Sequence, residues 1–168
     1  SVESIKAAAF SSCEGLTSVT LGKSVRSIGN IAFYGCSSLA SIVVDAGNRV
    51  YDSRNNCNAI IATASNTLLL GCNNTIIPNS VTSIKEHAFS GCEGLTSITI
   101  PNSVVNIKDN AFEGCSGLTS VTLGKSVKSI GNTVFYDCSS LASIVVDAGN
   151  KVYDSRNNCN AIIATASN

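Results

Sequence analysis

Cysteine is the residue type in this chain that could do the most chemistry, and its spacing points to a structural role. No Cys-x-x-Cys pair is present and only one histidine accompanies the eight cysteines, so the ligand spacing of a structural zinc site is missing. We therefore expect a column of small buried thiols, with disulfides between adjacent repeats as the alternative. The cysteines that share one sequence context, 23 residues apart within each run, are Cys13, Cys36, Cys92, Cys115 and Cys138.

Other groups that often do chemistry lack companions. His87 is the sole histidine, at a position where other repeats have unrelated residues, and we expect it to be an exposed bystander. Segments 45–48, 147–150 and 52–56 contain Asp, Asn and Gly, but too few carboxylates for a calcium loop, so we interpret them as turns. No G-x-S-x-G motif stands apart from the repeats. We expect no cofactor, no metal and no enzyme activity.

Composition excludes several partner classes. Only 13% of the 168 residues are charged, against roughly a quarter in ordinary domains. Eleven basic and eleven acidic residues cancel, which argues against nucleic acid and anionic membranes as partners. No apolar run approaches the roughly 18 residues of a membrane span, so we expect no membrane insertion of this chain. Ile and Val outnumber Leu about three to one, which favours β-strands.

The elements that must position these residues follow from an internal repeat. Its skeleton is an apolar set at constant spacing, exemplified by Val25, Ile28, Phe33, Cys36 and Leu39 and followed by a short strand. A 23-residue unit cannot bury one apolar face alone, so the units must stack as coils of a solenoid, with their strands about 4.8 Å apart. The segment between Ile28 and Cys36 is too short for a stable helix and predicts a single helical or 3-10 turn.

A longer period lies above the first. Residues 1–66 match residues 103–168 at all but 12 of 66 positions, which indicates duplication of a 102-residue block. We predict one solenoid over residues 1–168, with coils beginning at residues 1, 24, 49, 80, 103, 126 and 151. The strands are expected to end at six apolar residues, namely Leu21, Val44, Ile77, Ile100, Leu123 and Val146.

The coil that begins at residue 49 carries ten extra residues. Segments 59–63 and 67–71 favour β-structure and are separated by a turn at residues 64–66, which predicts a two-stranded ribbon. Cys57 and Cys72 flank this ribbon; we expect free thiols there, with a disulfide between them as the alternative. Cys159, the copy of Cys57 in the second block, is predicted to be unpaired.

Period-two alternation along each strand points one set of side chains away from the core. We predict that this parallel-sheet face of small neutral side chains is the ligand-binding surface. Its residues are Ser18, Thr20, Ser41, Val43, Ser97, Thr99, Ser120, Thr122, Ser143 and Val145.

The pattern I-x-x-x-A-F-x-x-C-x-x-L-T-S-[VI]-T-[IL]-[PG]-x-S-V, seen in residues 84–104 and 107–127, resembles the BspA-like leucine-rich repeats of bacterial surface proteins. The resemblance implies a right-handed leucine-rich-repeat solenoid that is β-rich. It also implies a secreted or cell-surface location, and host matrix proteins or other surface proteins as partners.

Three functions are compatible with this pattern. The leading hypothesis is a protein-binding or adhesion module, with weak contacts strengthened by multivalency, because the face lacks Trp, Tyr and Arg anchors. The first alternative is a structural spacer that associates end to end through open strand edges. The second is glycan binding, which favours exposed aromatic side chains; the tyrosines are Tyr34, Tyr51, Tyr136 and Tyr153.

Overall fold

A computed structural model describes residues 1–156 and 160–165 as a β-solenoid of stacked coils. In the ordinary coils, paired residues lie 23 positions apart along the chain, as in Ser4 with Ser27 and Ser18 with Ser41. The repeat length therefore sets the register of the stack. Each ordinary coil contributes a four-residue strand, a two-residue strand and a turn segment, so the solenoid has three sides.

The first side is a parallel sheet of four-residue strands. Ile42 and Val44 in this sheet are buried while Val43 between them is 49% exposed, which confirms the alternation predicted from the sequence. The sheet is divided into a two-stranded part, β2–β4, and a three-stranded part, β9–β11–β13. These strands are β2 (Ser18–Leu21), β4 (Ser41–Val44), β9 (Ser97–Ile100), β11 (Ser120–Leu123) and β13 (Ser143–Val146).

The second side consists of two-residue strands, which were not predicted from the sequence. Each ends in the Ile of the repeat skeleton, which packs inward while its neighbour faces outward. Parallel pairs join β1 to β3 and join β8, β10 and β12 to one another. These strands are β1 (Ser4–Ile5), β3 (Ser27–Ile28), β8 (Ser83–Ile84), β10 (Asn106–Ile107) and β12 (Ser129–Ile130).

The third side is a turn segment, where the expected single turns form as separate i→i+3 hydrogen-bonded turns and not as a continuous helix. The amides of His87, Phe89 and Gly91 donate to carbonyls of the next coil at 3.2, 2.7 and 2.8 Å. The amides of the intervening residues close turns within their own coil, as in Ser90 N–H to the His87 carbonyl at 3.2 Å. Because alternate amides bond to a neighbouring coil, a continuous helix cannot form. A 3-10 helix, Arg54–Asn56, lies in the variant coil.

The core follows the predicted skeleton. Val25, Phe33, Cys36 and Leu39 are buried, and Ile28 is half-buried. The phenylalanines of successive ordinary coils stack face to face, with ring centroids 4.7 Å apart for Phe89 and Phe112. Such contacts repeat along the solenoid because the same side chain returns at the same phase of each coil.

The variant coil contains the predicted ribbon and one strand more. β6 (Ile60–Ala62) and β7 (Thr67–Leu70) pair antiparallel across a turn at residues 63–66, as expected. β5 (Tyr51–Asp52) adds to the other edge of β6, so the ribbon is three-stranded rather than two-stranded. Parallel pairing of β7 with β8 extends the second side through this coil. The second copy of the ribbon contributes β14 (Tyr153–Asp154), which pairs with β15 (Ile163–Ala164).

The predicted strand ending at Ile77 does not form, so within the described residues the first side has five strands instead of six. Two side chains of the variant coil occupy the edge of β4 instead. The Val44 amide donates to Ser53 Oγ at 3.0 Å and the Ile42 amide to Asn58 Oδ1 at 3.4 Å. The Ile76 amide donates to the Cys57 carbonyl of its own coil at 3.1 Å. The apolar run at 76–77 therefore runs beside the sheet without joining it.

The variant coil also lacks the turn segment, so the second and fourth coils meet directly on the third side. The Gly35 amide donates to the Ser90 carbonyl at 3.4 Å, and a Cβ atom on Gly91 would lie 2.9 Å from Gly35 Cα. Gly71 of the variant coil lies beneath this contact, against the ring of Phe89. Glycine at these three positions permits the close approach.

Candidate binding face

The ten residues predicted as a ligand-binding surface all lie on the outer face of the first side. Each is exposed or half-buried, with Val43 at 49% and Val145 at 50% exposure. Their outward orientation is thus observed, while their role in binding stays a prediction. None of the ten carries a charge, so this face, which we call the sheet face, presents neutral hydroxyl and methyl groups to its surroundings.

Register arranges the sheet face in rows that run along the stack. Ser97, Ser120 and Ser143 are directly paired, as are Thr99, Thr122 and Val145. On β2 and β4 the corresponding pairs are Ser18 with Ser41 and Thr20 with Val43. The division between β4 and β9 splits the predicted surface into a patch of four residues and a patch of six. A strand at Ile77 would have joined the two patches into the single face that the sequence predicts.

An Asx turn follows each first-side strand that precedes a variant coil, at the edge of the sheet face that we call the rim. The Gly47 amide donates to Asp45 Oδ1 at 2.8 Å, which confirms the turn interpretation of residues 45–48. Asn48 Nδ2 donates to the Gly22 and Val25 carbonyls at 3.0 Å each. Its Oδ1 accepts from two amides at 2.9 Å. Residues 147–150 repeat this arrangement with Asn150 buried. These side chains stabilise the rim.

An ion pair orders the segment that follows β5. Arg54 approaches Asp52 through two nitrogens, at 2.7 and 2.5 Å, and also donates to Asn66 Oδ1 at 2.8 Å. Burial acts to raise the pKa of Asp52, but hydrogen bonds from Arg54 and Thr63 outweigh it and leave the pKa below its ordinary value. Arg156 and Asp154 form the same pair in the second copy. The Asp52 carboxylate is therefore part of the hydrogen-bonding network of the variant coil.

All seven described cysteines are free thiols, as expected, and Cys159 lies outside the described residues. The prediction that the column is buried is wrong for Cys13, which is exposed in the first coil, whereas Cys36, Cys92 and Cys115 are buried and Cys138 is half-buried. The thiols of Cys36, Cys115 and Cys138 each donate to the carbonyl of a phenylalanine in the preceding coil, at 3.1 to 3.2 Å. Cys57 and Cys72 are buried and not bonded to each other. Burial raises the pKa of both thiols, so they stay protonated near neutral pH. The Cys57 and Cys72 thiols are therefore weak nucleophiles near neutral pH.

His87 is more engaged than the sequence predicted. Its ring is half-buried rather than exposed, because the missing turn segment of the variant coil brings Tyr34 against it, with ring centroids 5.7 Å apart. Nδ1 lies 3.2 Å from Ser90 Oγ and 3.5 Å from Glu113 Oε2. The prediction of an exposed bystander is therefore wrong; His87 joins the second, fourth and fifth coils.

Two further features bear on ligands. A largely apolar hollow of about 690 Å³ lies within the first coil, lined by Val2, Ile5 and Phe10 among others. A groove of about 380 Å³ separates residues 75–79 from β9. Neither this groove nor the break in the sheet is predicted by the sequence. In the described residues, no group of three or more His, Cys, Asp or Glu side chains is placed to hold a metal ion. No helix in that part of the chain is long and apolar enough to cross a membrane.

The repeated coil, its cysteine column and its parallel sheet agree with a sequence comparison. The profile of the BspA-type leucine-rich repeat region matches in six copies, over residues 1–69 and 68–162. This chain belongs to the BspA-type leucine-rich repeat family. The resemblance found in the sequence is thereby confirmed, and the solenoid of this family is typically a non-catalytic repeat module. A search of curated proteins gave no match.

Solved structures of bacterial leucine-rich repeat proteins share the fold. A protein from Eubacterium ventriosum is 26% identical with a TM-score of 0.67, over 79% of this chain and 36% of its own. The Treponema pallidum leucine-rich repeat protein is 30% identical with a TM-score of 0.51, over 93% of this chain and 58% of its own. A leucine-rich cell surface protein from Faecalibacterium prausnitzii is 23% identical with a TM-score of 0.53, over 99% and 55% of the two chains. The BspA-type chain described here thus spans about a third to three fifths of these relatives.

Proposed function

We propose that this BspA-type chain is a protein-binding module of a secreted or cell-surface bacterial protein, and that it acts in adhesion. The observation that carries the proposal is the sheet face, where uncharged side chains stand in register on a rigid parallel sheet. Repeat solenoids use such extended faces to recognise proteins. Family membership supports a repeat interaction module, and the surface location follows the naming of a structural relative.

The chemistry of the face determines the kind of contact. Serine, threonine and valine bury little area each and lack the aromatic and arginine anchors that dominate tight interfaces. We therefore expect one module to bind weakly and an array to bind through multivalency. Catalysis is not part of the proposal, because the buried thiols are protonated and His87 is held between coils.

The test is binding to immobilised host matrix proteins, measured for the monomer and for a multimerised form. We expect binding by the multimer, reduced by Thr122→Arg in the centre of the sheet face. Ser129→Arg is the matched control, because Ser129 is also exposed but belongs to β12 on the second side. No binding by the multimer, or equal loss in both variants, would contradict the proposal. Light scattering of the same samples tests end-to-end association, which stays a prediction.

A further inference from the structure

The break in the first side leaves two strand edges facing the variant coil, and only one of them is covered. On β4, Ser53 and Asn58 accept the two amides that point toward the variant coil. Asn74 Nδ2 donates to the Ala40 carbonyl at 3.2 Å and Asn73 N–H to the Leu39 carbonyl at 3.0 Å. Both amides on this edge of β4 are therefore bonded to residues packed beside it.

β9 presents the uncovered edge. The Thr119 amide of the fifth coil donates to the Thr96 carbonyl at 2.8 Å. Because alternate residues of a parallel strand bond to the same neighbour, Thr96, Ile98 and Ile100 bond toward the fifth coil. The amides of Ser97 and Thr99 consequently point the other way, toward the variant coil. Neither has a hydrogen-bond partner in the described part of the chain. Pro101, which has no amide hydrogen, ends this open edge.

The groove of about 380 Å³ lies directly along this edge. Its opposite wall is formed by residues 75–79, where Ile76 is 77% exposed and Ile77 is buried. Ile98 of β9 and Pro101 complete its apolar lining, and no charged side chain lines it within the described residues. The volume is at the small end of the roughly 300–1,000 Å³ of ligand pockets. Free backbone amides beside an uncharged apolar wall match an extended peptide.

We propose that the edge of β9 is a β-strand addition site for a short, uncharged, extended segment of a partner protein. The segment pairs with the amides and carbonyls of Ser97 and Thr99 as a strand of this sheet. One set of its side chains lies beside Thr99 on the sheet face, and the other packs between Ile77 and Ile98. Charged side chains in the second set would be buried without a partner in this groove. The inference rests on the proposed function and names the class of partner segment.

The experiment uses the whole chain and a capped hexapeptide of alternating threonine and valine. Backbone NMR with amide hydrogen exchange follows Ser97 and Thr99, whose exchange we expect to slow at least roughly tenfold when the peptide pairs with them. The same peptide with alternate amides N-methylated keeps its side chains and loses its donors, and should not protect these amides.

Two matched variants locate the site. Thr99→Pro removes one free amide from the β9 edge without touching the β9–β11 ladder and should weaken peptide binding roughly fivefold to tenfold. Ile76→Asn removes the exposed apolar side chain of the opposite wall and should also weaken peptide binding. Because this variant leaves β9 unchanged, it still tests the site if Thr99→Pro does not fold. Thr20 is the equivalent residue of β2, and Thr20→Pro should leave binding unchanged.

Several results would overturn the inference. These are absence of protection at Ser97, equal binding of the N-methylated peptide, or loss of binding in Thr20→Pro alone, which would place the peptide on β2. Self-association through β9 without peptide binding would also overturn it. Failure here combined with matrix-protein binding that Thr122→Arg weakens would leave the proposed function standing. Success here without any matrix-protein binding would remove only the adhesion proposal.

Discussion

One residue position of the turn segment has a left-handed backbone in every ordinary coil. Its φ angle lies between 50° and 57° in Ala8, Ile31, His87, Asn110 and Thr133. Asparagine tolerates this conformation, whereas a β-branched side chain is strained there. The sequence shows only that the position varies, because the repeat tolerates many side chains there. The structure adds that its backbone conformation is constant.

Ile31 gives a direct test of this strain. Its side chain is 44% exposed, so replacement costs little burial. We expect Ile31→Asn to raise the free energy of unfolding by about 1 kcal/mol, since the equivalent Asn110 adopts the same conformation. Urea denaturation measures the change. Ile31→Val keeps the β-branch and should leave stability unchanged; equal stability of the Asn and Val variants would contradict the argument.

The ion pair of Asp52 and Arg54 predicts an acid-dependent contribution to stability. Because the folded pKa of Asp52 lies below its unfolded value, the pair stabilises the fold at neutral pH, and this stabilisation is lost as pH falls below about 4. We expect Asp52→Asn to cost about 1 kcal/mol at pH 7 and progressively less below pH 4. Denaturation at several pH values tests this.

Asp154→Asn is the matched control, because it removes the same pair from a more exposed copy of the segment, where Arg156 is 55% exposed. Its effect at pH 7 should be the smaller of the two. A cost of Asp52→Asn that is independent of pH would show that the ion pair contributes nothing and that only packing is lost.

At the scale of elements, spacing and alternation predict most of the ordinary coil. The buried Ile42 and Val44 and the exposed Val43 follow from period two, and the ribbon turn at residues 63–66 follows from its Ala-Ser-Asn sequence. The two-residue strands were missed because a two-residue stretch shows no periodicity. The strand at Ile77 was wrongly predicted since an apolar run cannot reveal that Ser53 and Asn58 already occupy the neighbouring edge. The groove beside β9 exists because these two side chains take the place of a strand, so it was missed for the same reason.

Gly71 tests how the variant coil fits between its neighbours. A Cβ atom there would lie 2.0 Å from Phe89 Cε1. The ring is fully buried and stacked on Phe112, so it has no free space into which to rotate. We expect Gly71→Ala to destabilise the fold by about 3 kcal/mol, measured by urea denaturation.

Gly15→Ala is the control, because no atom lies within 4 Å of its Cβ position, and its effect should be small. Phe89→Leu removes the ring that the new methyl group would contact. Adding it to Gly71→Ala should therefore recover part of the lost free energy of unfolding. Additive costs in this double-mutant cycle would mean that Phe89 is not what excludes the methyl group.

For the whole molecule, stability is distributed along a stack in which each coil contacts its neighbours. Buried residues form two clusters that divide at the variant coil, with Cys57 in one and Cys72 in the other. The variant coil therefore ends one run of the core and begins the next. Coils within one run share the same register and should be interchangeable, which distinguishes this architecture from a domain with a single centre.

Removal of one coil tests this interchangeability. Deleting residues 103–125 would place β13 against β9 in the register that β11 now holds, because each pairing is offset by 23 residues. We expect a folded protein with unchanged β-type circular dichroism and a urea m-value lower by roughly a seventh, in proportion to the surface lost. Deleting only residues 103–114 removes less chain but shifts strands against turns, so that variant should fail to fold cooperatively. Equal stability of the two deletions would show that the 23-residue phase does not determine the stacking.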